Sequence, residues 1–89
     1  MTKKLEKIVA KYNEKLEVEV FMFEKGFNNI DEAMDKLKAK RKEFFALIEN
    51  MYFYDLLSEK DFLFANNEIA LSYYEKAVDK VFDIKHNVA

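Results

Sequence analysis

The chain has one glycine, Gly26, and no proline in its 89 residues. Tight turns and strand ends draw heavily on those two residue types, because glycine accepts positive φ and proline interrupts regular hydrogen bonding. A backbone so poor in both has few places to reverse direction. That points to an all-α fold built from a few long helices. The spacing of the apolar residues says the same and divides the chain into three stretches.

The longest uninterrupted helical period runs from Ile30 to Asp55. Ile30, Met34, Leu37, Phe44, Ile48 and Met51 follow one another at steps of three, four or seven, which is one face of a helix. Ala33, Phe45, Leu47 and Tyr52 widen that face. Asn29 stands where a side chain caps the first free amides, and Glu32 is placed to complete a capping box. Asp31 and Glu32 suit the positive end of the helix dipole, and Glu32 with Lys36 makes a favourably ordered i,i+4 pair. The expected helix is roughly 25 residues and about 38 Å long.

Residues 2–25 read as the helix before it. Leu5, Ile8, Val9, Tyr12, Leu16, Val20 and Phe23 share a face, Thr2 is the cap, and Gly26 sits where a terminating glycine belongs. Glu17 to Phe23 first alternates like a strand. No second strand-like segment offers a partner, so the helix is carried through. Ser58, with Asp61 three positions on, opens the third helix. Its face over residues 59–84 is Phe62, Ala65, Ile69, Tyr73, Ala77, Val81 and Ile84. Asn66 and Asn67 are weak helix formers. A split there, giving four helices, is the alternative to one long rod. Lys80, Lys85 and His86 suit the negative helix end, while Asn87, Val88 and Ala89 are expected to fray. Three such helices with short turns predict one domain, residues 1–89, folded as an antiparallel up-down-up three-helix bundle.

Composition removes several kinds of chemistry. There are no cysteines, hence no disulfide or thiolate metal site. His86 is the lone histidine, and a di-iron bundle needs two Glu-x-x-His pairs. No metal or other cofactor is expected. No glycine-rich loop is present to cradle a phosphate, no serine–histidine motif is recognisable, and the carboxylates fall on outer helix faces. No catalytic residue is assigned and no enzyme is expected. No apolar run follows Lys3 and Lys4, and no stretch reaches membrane-spanning length, so a cytoplasmic protein without a membrane partner is expected. Lysine outnumbers arginine 14 to 1, and Phe, Tyr, Asn and Ile are plentiful. AT-rich codons encode these residues, which fits a bacterial or phage genome of low GC content.

Two features remain unexplained by a single buried stripe. Phe21-Met22-Phe23, Phe44-Phe45, Tyr52-Phe53-Tyr54, Phe62-Leu63-Phe64 and Tyr73-Tyr74 are runs of neighbours. Successive helical residues point about 100° apart, so a second side must be covered. Another part of the chain does that, or another protein, or a second copy as a homodimer. Tyr52, Phe53, Tyr54, Phe62 and Phe64 around the second connection are the favoured protein interface. The leading expectation is a small non-enzymatic regulator or inhibitor that binds another protein.

The second feature is the basic run Lys36, Lys38, Lys40, Arg41 and Lys42, with Arg41 on the apolar seam. Lys3, Lys7, Lys11 and Lys15 on the first helix are candidates to extend it. The ordinary meaning of such a run is a solvated face, and the net charge of the chain is −2. The charge is uneven, at +3 over residues 1–42 and −5 over residues 43–89. An acidic protein partner or nucleic acid is the less favoured alternative. Only one of the cations is an arginine, and no helix-turn-helix signature accompanies them. A structural homodimer is the third reading. The segments LSEKDF and YYEKAVDKVFD, between Leu57 and Asp83, resemble the C-terminal half of the Hha/YmoA modulators of nucleoid proteins. Asn29-Ile30-Asp31 is similar to the turn before their second helix. The resemblance covers about a third of the chain. It implies association with nucleoid proteins, but Ile69, Ala70 and Leu71 depart from that family's charged third helix, and the central helix here is longer. Small helical immunity proteins are similar in expected architecture alone.

Overall fold

In the computed structural model, which describes residues 2–87, each predicted helix starts on a side-chain cap. Thr2 Oγ1 accepts from the Leu5 N–H at 3.2 Å and opens α1 (Lys3–Glu24). Asn29 Oδ1 accepts from the Glu32 N–H at 2.8 Å, and Glu32 Oε1 accepts from the Asn29 N–H at 3.5 Å. That is the capping box expected at the start of α2 (Ile30–Phe53). Ser58 Oγ accepts from the Asp61 N–H at 3.1 Å ahead of α3 (Glu59–Phe64). A π-helical stretch, Ala65–Ala70, then leads directly into α4 (Leu71–Asn87). Phe64, Ala65 and Leu71 all keep right-handed helical dihedrals, so α3, the π-helical stretch and α4 form one continuous third rod.

The fold is therefore an all-α bundle of three rods, with no strand among the described residues. Glu17 to Phe23 is helical throughout. The third rod runs past residue 84 to Asn87, which is helical; the fraying expected of Val88 and Ala89 falls outside the described residues.

The first two helices end in the same way. Gly26 N–H donates to Phe23 O at 3.1 Å and Phe27 N–H to Met22 O at 2.9 Å. After α2, Asp55 N–H donates to Tyr52 O at 3.1 Å and Leu56 N–H to Met51 O at 2.8 Å. Both are Schellman terminations, which require a left-handed residue just past the helix. Gly26 supplies it at φ 83°, and Asp55 at φ 59°. The second turn therefore needs no glycine, because a short polar side chain tolerates that conformation better than most.

One face of each rod closes the core. From α1 come Leu5, Val9, Tyr12, Leu16 and Val20; from α2, Ala33, Leu37, Phe44, Ile48 and Met51. The third rod adds Ala65, Ala70, Ala77 and Val81, and Leu57 joins from the connection. Leu5, Leu16, Leu37 and Ile48 are almost wholly buried, each worth about 1.5–3 kcal/mol of transfer free energy.

The buried alanines of the third rod mark the π-helical stretch. Ala65 and Ala70 are five residues apart, where an ordinary helix buries residues three or four apart. The wider turn carries one extra residue, so Ala70 reaches the core although the expected face passed through Ile69. Tyr12 of α1 donates its hydroxyl to the Ala70 carbonyl at 2.8 Å. That bond ties the π-helical stretch to α1 within the buried core. Asn66 and Asn67 do not cap a fourth helix. Asn66 Nδ2 instead donates to Asn67 Oδ1 at 3.3 Å.

Candidate functional site

The five aromatic residues expected at the second connection divide into two groups. Phe62 is half-buried and packs against the core, with Tyr52 beside it at a ring separation of 5.0 Å. Phe45 meets the same ring at 6.1 Å. Phe53, Tyr54 and Phe64 point outward and are 77%, 69% and 51% exposed. Phe53 and Tyr54 hold each other edge to face at 5.4 Å. Leu56 and Leu63, which are not among the five interface residues expected from the sequence, are exposed as well. Their signal was their place beside the left-handed residue and inside the Phe62–Phe64 run. The Schellman turn forces this exposure: the chain reverses at Asp55, and neither rod extends far enough to cover what surrounds it.

The basic run does not form one surface. Lys36 Nζ donates to the Asn28 side-chain oxygen at 3.2 Å, rather than pairing with Glu32. Lys40 pairs with Glu43 at 3.5 Å, the one ion pair among the described residues. Lys40 and Glu43 line a small crevice of about 80 Å³ between α1 and α2, together with Lys11 and Lys15; Lys36 is not part of it. Lys38, Arg41 and Lys42 face the other way, into an open groove of about 480 Å³ between α2 and the third rod. Phe45, Asn66 and Tyr74 complete its lining. A helix with cations at positions 36, 38, 40, 41 and 42 must divide them in this way, because they spread around its circumference.

Arg41 sits in the seam between Leu37 and Phe44. It is half-buried, and its guanidinium lies 5.2 Å from the centre of the Tyr74 ring. A charge on the core-facing side is thus held against an aromatic face. Tyr12 lies close by, stacked on Phe44 at 4.4 Å and 6.4 Å from Tyr73. Burial pushes the Tyr12 hydroxyl up from 10.0 to about 12; the Arg41 charge opposes the rise and Tyr74 adds to it. Tyr12 therefore keeps its proton and its bond to Ala70 at neutral pH.

No described helix is long and apolar enough to cross a membrane. Among the described residues, no three histidine or carboxylate side chains converge in a way that would hold a metal ion. No family model, curated protein or solved structure matches the chain. The resemblance between Leu57 and Asp83 to the nucleoid-protein modulators thus rests on those residues alone.

Proposed function

We propose that the chain is a non-enzymatic protein-binding module, a regulator or inhibitor whose docking surface is the end of the bundle at the α2–α3 turn. One observation carries the reading: Phe53, Tyr54, Leu56, Leu63 and Phe64 are all exposed around a single turn. Large apolar side chains scattered singly are ordinary on a protein surface, whereas a contiguous group of them marks an interface. Phe53 is the anchor, being the most exposed of the group and oriented by Tyr54. Aromatic residues so placed dominate the energetics of the interfaces they enter. The absence of cysteine fits work in a reducing compartment such as the cytoplasm.

The test is retention of a partner from a cell extract on immobilised protein, wild type against Phe53→Ala. The expected result is a loss of about tenfold or more in partner affinity, with thermal stability unchanged. Equal loss of affinity and stability would assign Phe53 to the fold instead. Light scattering on the same samples identifies the case in which the partner is a second copy of the chain.

A further inference from the structure

A second surface lies along the side of the bundle, away from the exposed turn. It is the groove of about 480 Å³ between α2 and the third rod, lined by Lys38, Arg41, Lys42, Phe45, Asn66 and Tyr74. Three of its six residues are cations and none is a carboxylate. The chain as a whole has a net charge of −2, so this groove is not average surface. Its volume lies within the range of about 300–1,000 Å³ typical of ligand sites. The occupant it suits is anionic.

The non-charged lining narrows the choice. Phe45 and Tyr74 are half-buried, and the Arg41 guanidinium rests against the Tyr74 ring at 5.2 Å. Aromatic rings and a guanidinium plane offer stacking faces for a nucleobase. Asn66 contributes an amide from the π-helical turn, a group that both donates to and accepts from base edges. An acidic peptide would use the cations and leave the rings without a role.

The architecture also separates a strand from a free nucleotide. Small phosphorylated ligands are usually held by backbone N–H groups at a helix N-terminus or a glycine-rich loop. All six lining residues lie inside helical rods, where those groups are engaged in the helix. Phosphates in this groove have to be met by long side chains. Lys38 and Lys42 stand one helical turn apart on the same face, about 6 Å along the axis. That spacing lets them engage successive phosphates of a chain lying along α2.

We propose that this groove binds single-stranded nucleic acid. Lys38 and Lys42 contact the backbone, a base stacks against Phe45 and the Arg41–Tyr74 pair, and Asn66 reaches the base edge. The π-helical turn serves the site by bringing Asn66 to the groove across from the α2 cations. The exposed Phe53, Tyr54, Leu56, Leu63 and Phe64 are not part of its lining, and the two surfaces meet only where Phe45 packs against Phe62 at 6.1 Å.

The experiment is fluorescence anisotropy with labelled single strands of mixed sequence, DNA and RNA, about 12 nucleotides long. Salt is varied from about 50 to about 200 mM. Wild-type affinity is expected to fall linearly with salt on a double-logarithmic plot. Lys38→Gln/Lys42→Gln should make that slope shallower by about 1.4, the contribution of two phosphate contacts on a single strand. Phe45→Leu, which keeps an apolar side chain but removes the stacking face, should weaken binding by about 5- to 150-fold. Lys3→Gln/Lys7→Gln, an equal charge change on α1, should leave the slope unaltered. Binding that is absent or insensitive to salt would overturn the proposal. So would an equal effect of the α1 pair, which would mean bulk charge alone. Displacement of the strand by polyglutamate at equal charge would reassign the groove to an acidic protein. Displacement by a free mononucleotide at equal nucleotide concentration would reassign it to a small molecule. Helical signal and melting temperature confirm that each variant is folded.

Discussion

Tyr12 stacks on Phe44 of α2 and donates its hydroxyl to Ala70 of the third rod, so one side chain of α1 ties all three rods together. It is only 3% exposed. Removing the hydroxyl in Tyr12→Phe keeps the ring and deletes the bond to the Ala70 carbonyl. The expected cost is about 0.5–1.5 kcal/mol, and each kcal/mol lowers the melting temperature of a domain this size by about 4–8 °C. The same residue sets a pH dependence. Its folded value of about 12 lies above the ordinary 10.0, so the folded chain holds the proton more tightly than the unfolded one. The stabilisation is complete below pH 10 and is lost as pH rises through about 12. Two pH units correspond to an upper bound of about 3 kcal/mol. Urea midpoints measured from about pH 9 to 12 should fall more steeply for wild type than for Tyr12→Phe. Parallel curves would show that Tyr12 does not drive the alkaline loss.

At the scale of elements, caps and turns could be read from the sequence because their chemistry is local. Thr2, Asn29 with Glu32, Ser58 and Gly26 each act within five residues of themselves, and each appears where the sequence places it. The π-helical turn could not be read in the same way. Its traces were two weak helix formers, Asn66 and Asn67, and two alanines five apart, and their meaning depends on Tyr12 more than 50 residues earlier. The groove was hidden for the same reason. Its cations come from α2, while Asn66 and Tyr74 come from the third rod. Arg41 looked misplaced on the apolar seam until its aromatic partner was known.

The extra residue in the turn makes a specific forecast. Deleting Asn67 should convert the π-helical stretch to ordinary helix and keep Ala65 and Ala77 facing the core, at a cost of about 1–2 kcal/mol. Deleting Lys76, also an exposed residue of the third rod, should rotate everything after it by about 100° and swing Ala77, Val81 and Ile84 out of the core. Circular dichroism melts of the two deletions read the difference. Comparable damage from both would show that the stretch does not act as a one-residue insertion.

On the scale of the whole molecule, the bundle is a rod of 49 × 18 × 17 Å with apolar residues exposed at both ends. Phe21 and Phe27 sit beside the α1–α2 turn, 52% and 67% exposed. Exposure alone does not rank that end below the other. The difference lies in what surrounds the rings. Lys25 stands 5.5 Å over the Phe21 ring, and its methylene stem covers apolar surface while its ammonium stays in water. Covering that ring with a partner would strip water from the lysine. The α2–α3 turn exposes five large apolar side chains, Phe53, Tyr54, Leu56, Leu63 and Phe64, with Asp55 as the charge at the turn itself, against Phe21 and Phe27 beside the α1–α2 turn. Docking at the α2–α3 end therefore removes more apolar surface from water. The α2–α3 end should therefore be the adhesive one. An apolar fluorescent dye that binds exposed hydrophobic surface reads this without knowledge of the partner. Phe53→Ser/Tyr54→Ser/Phe64→Ser should cut the dye signal by about half or more, and Phe21→Ser/Phe27→Ser by clearly less. Both variants should melt within about 4 °C of wild type, because each change is on the surface and worth about 0.5 kcal/mol or less. A larger loss of signal from the α1–α2 end would move the docking surface to the opposite end of the rod, and with it the side chains on which a partner must be sought.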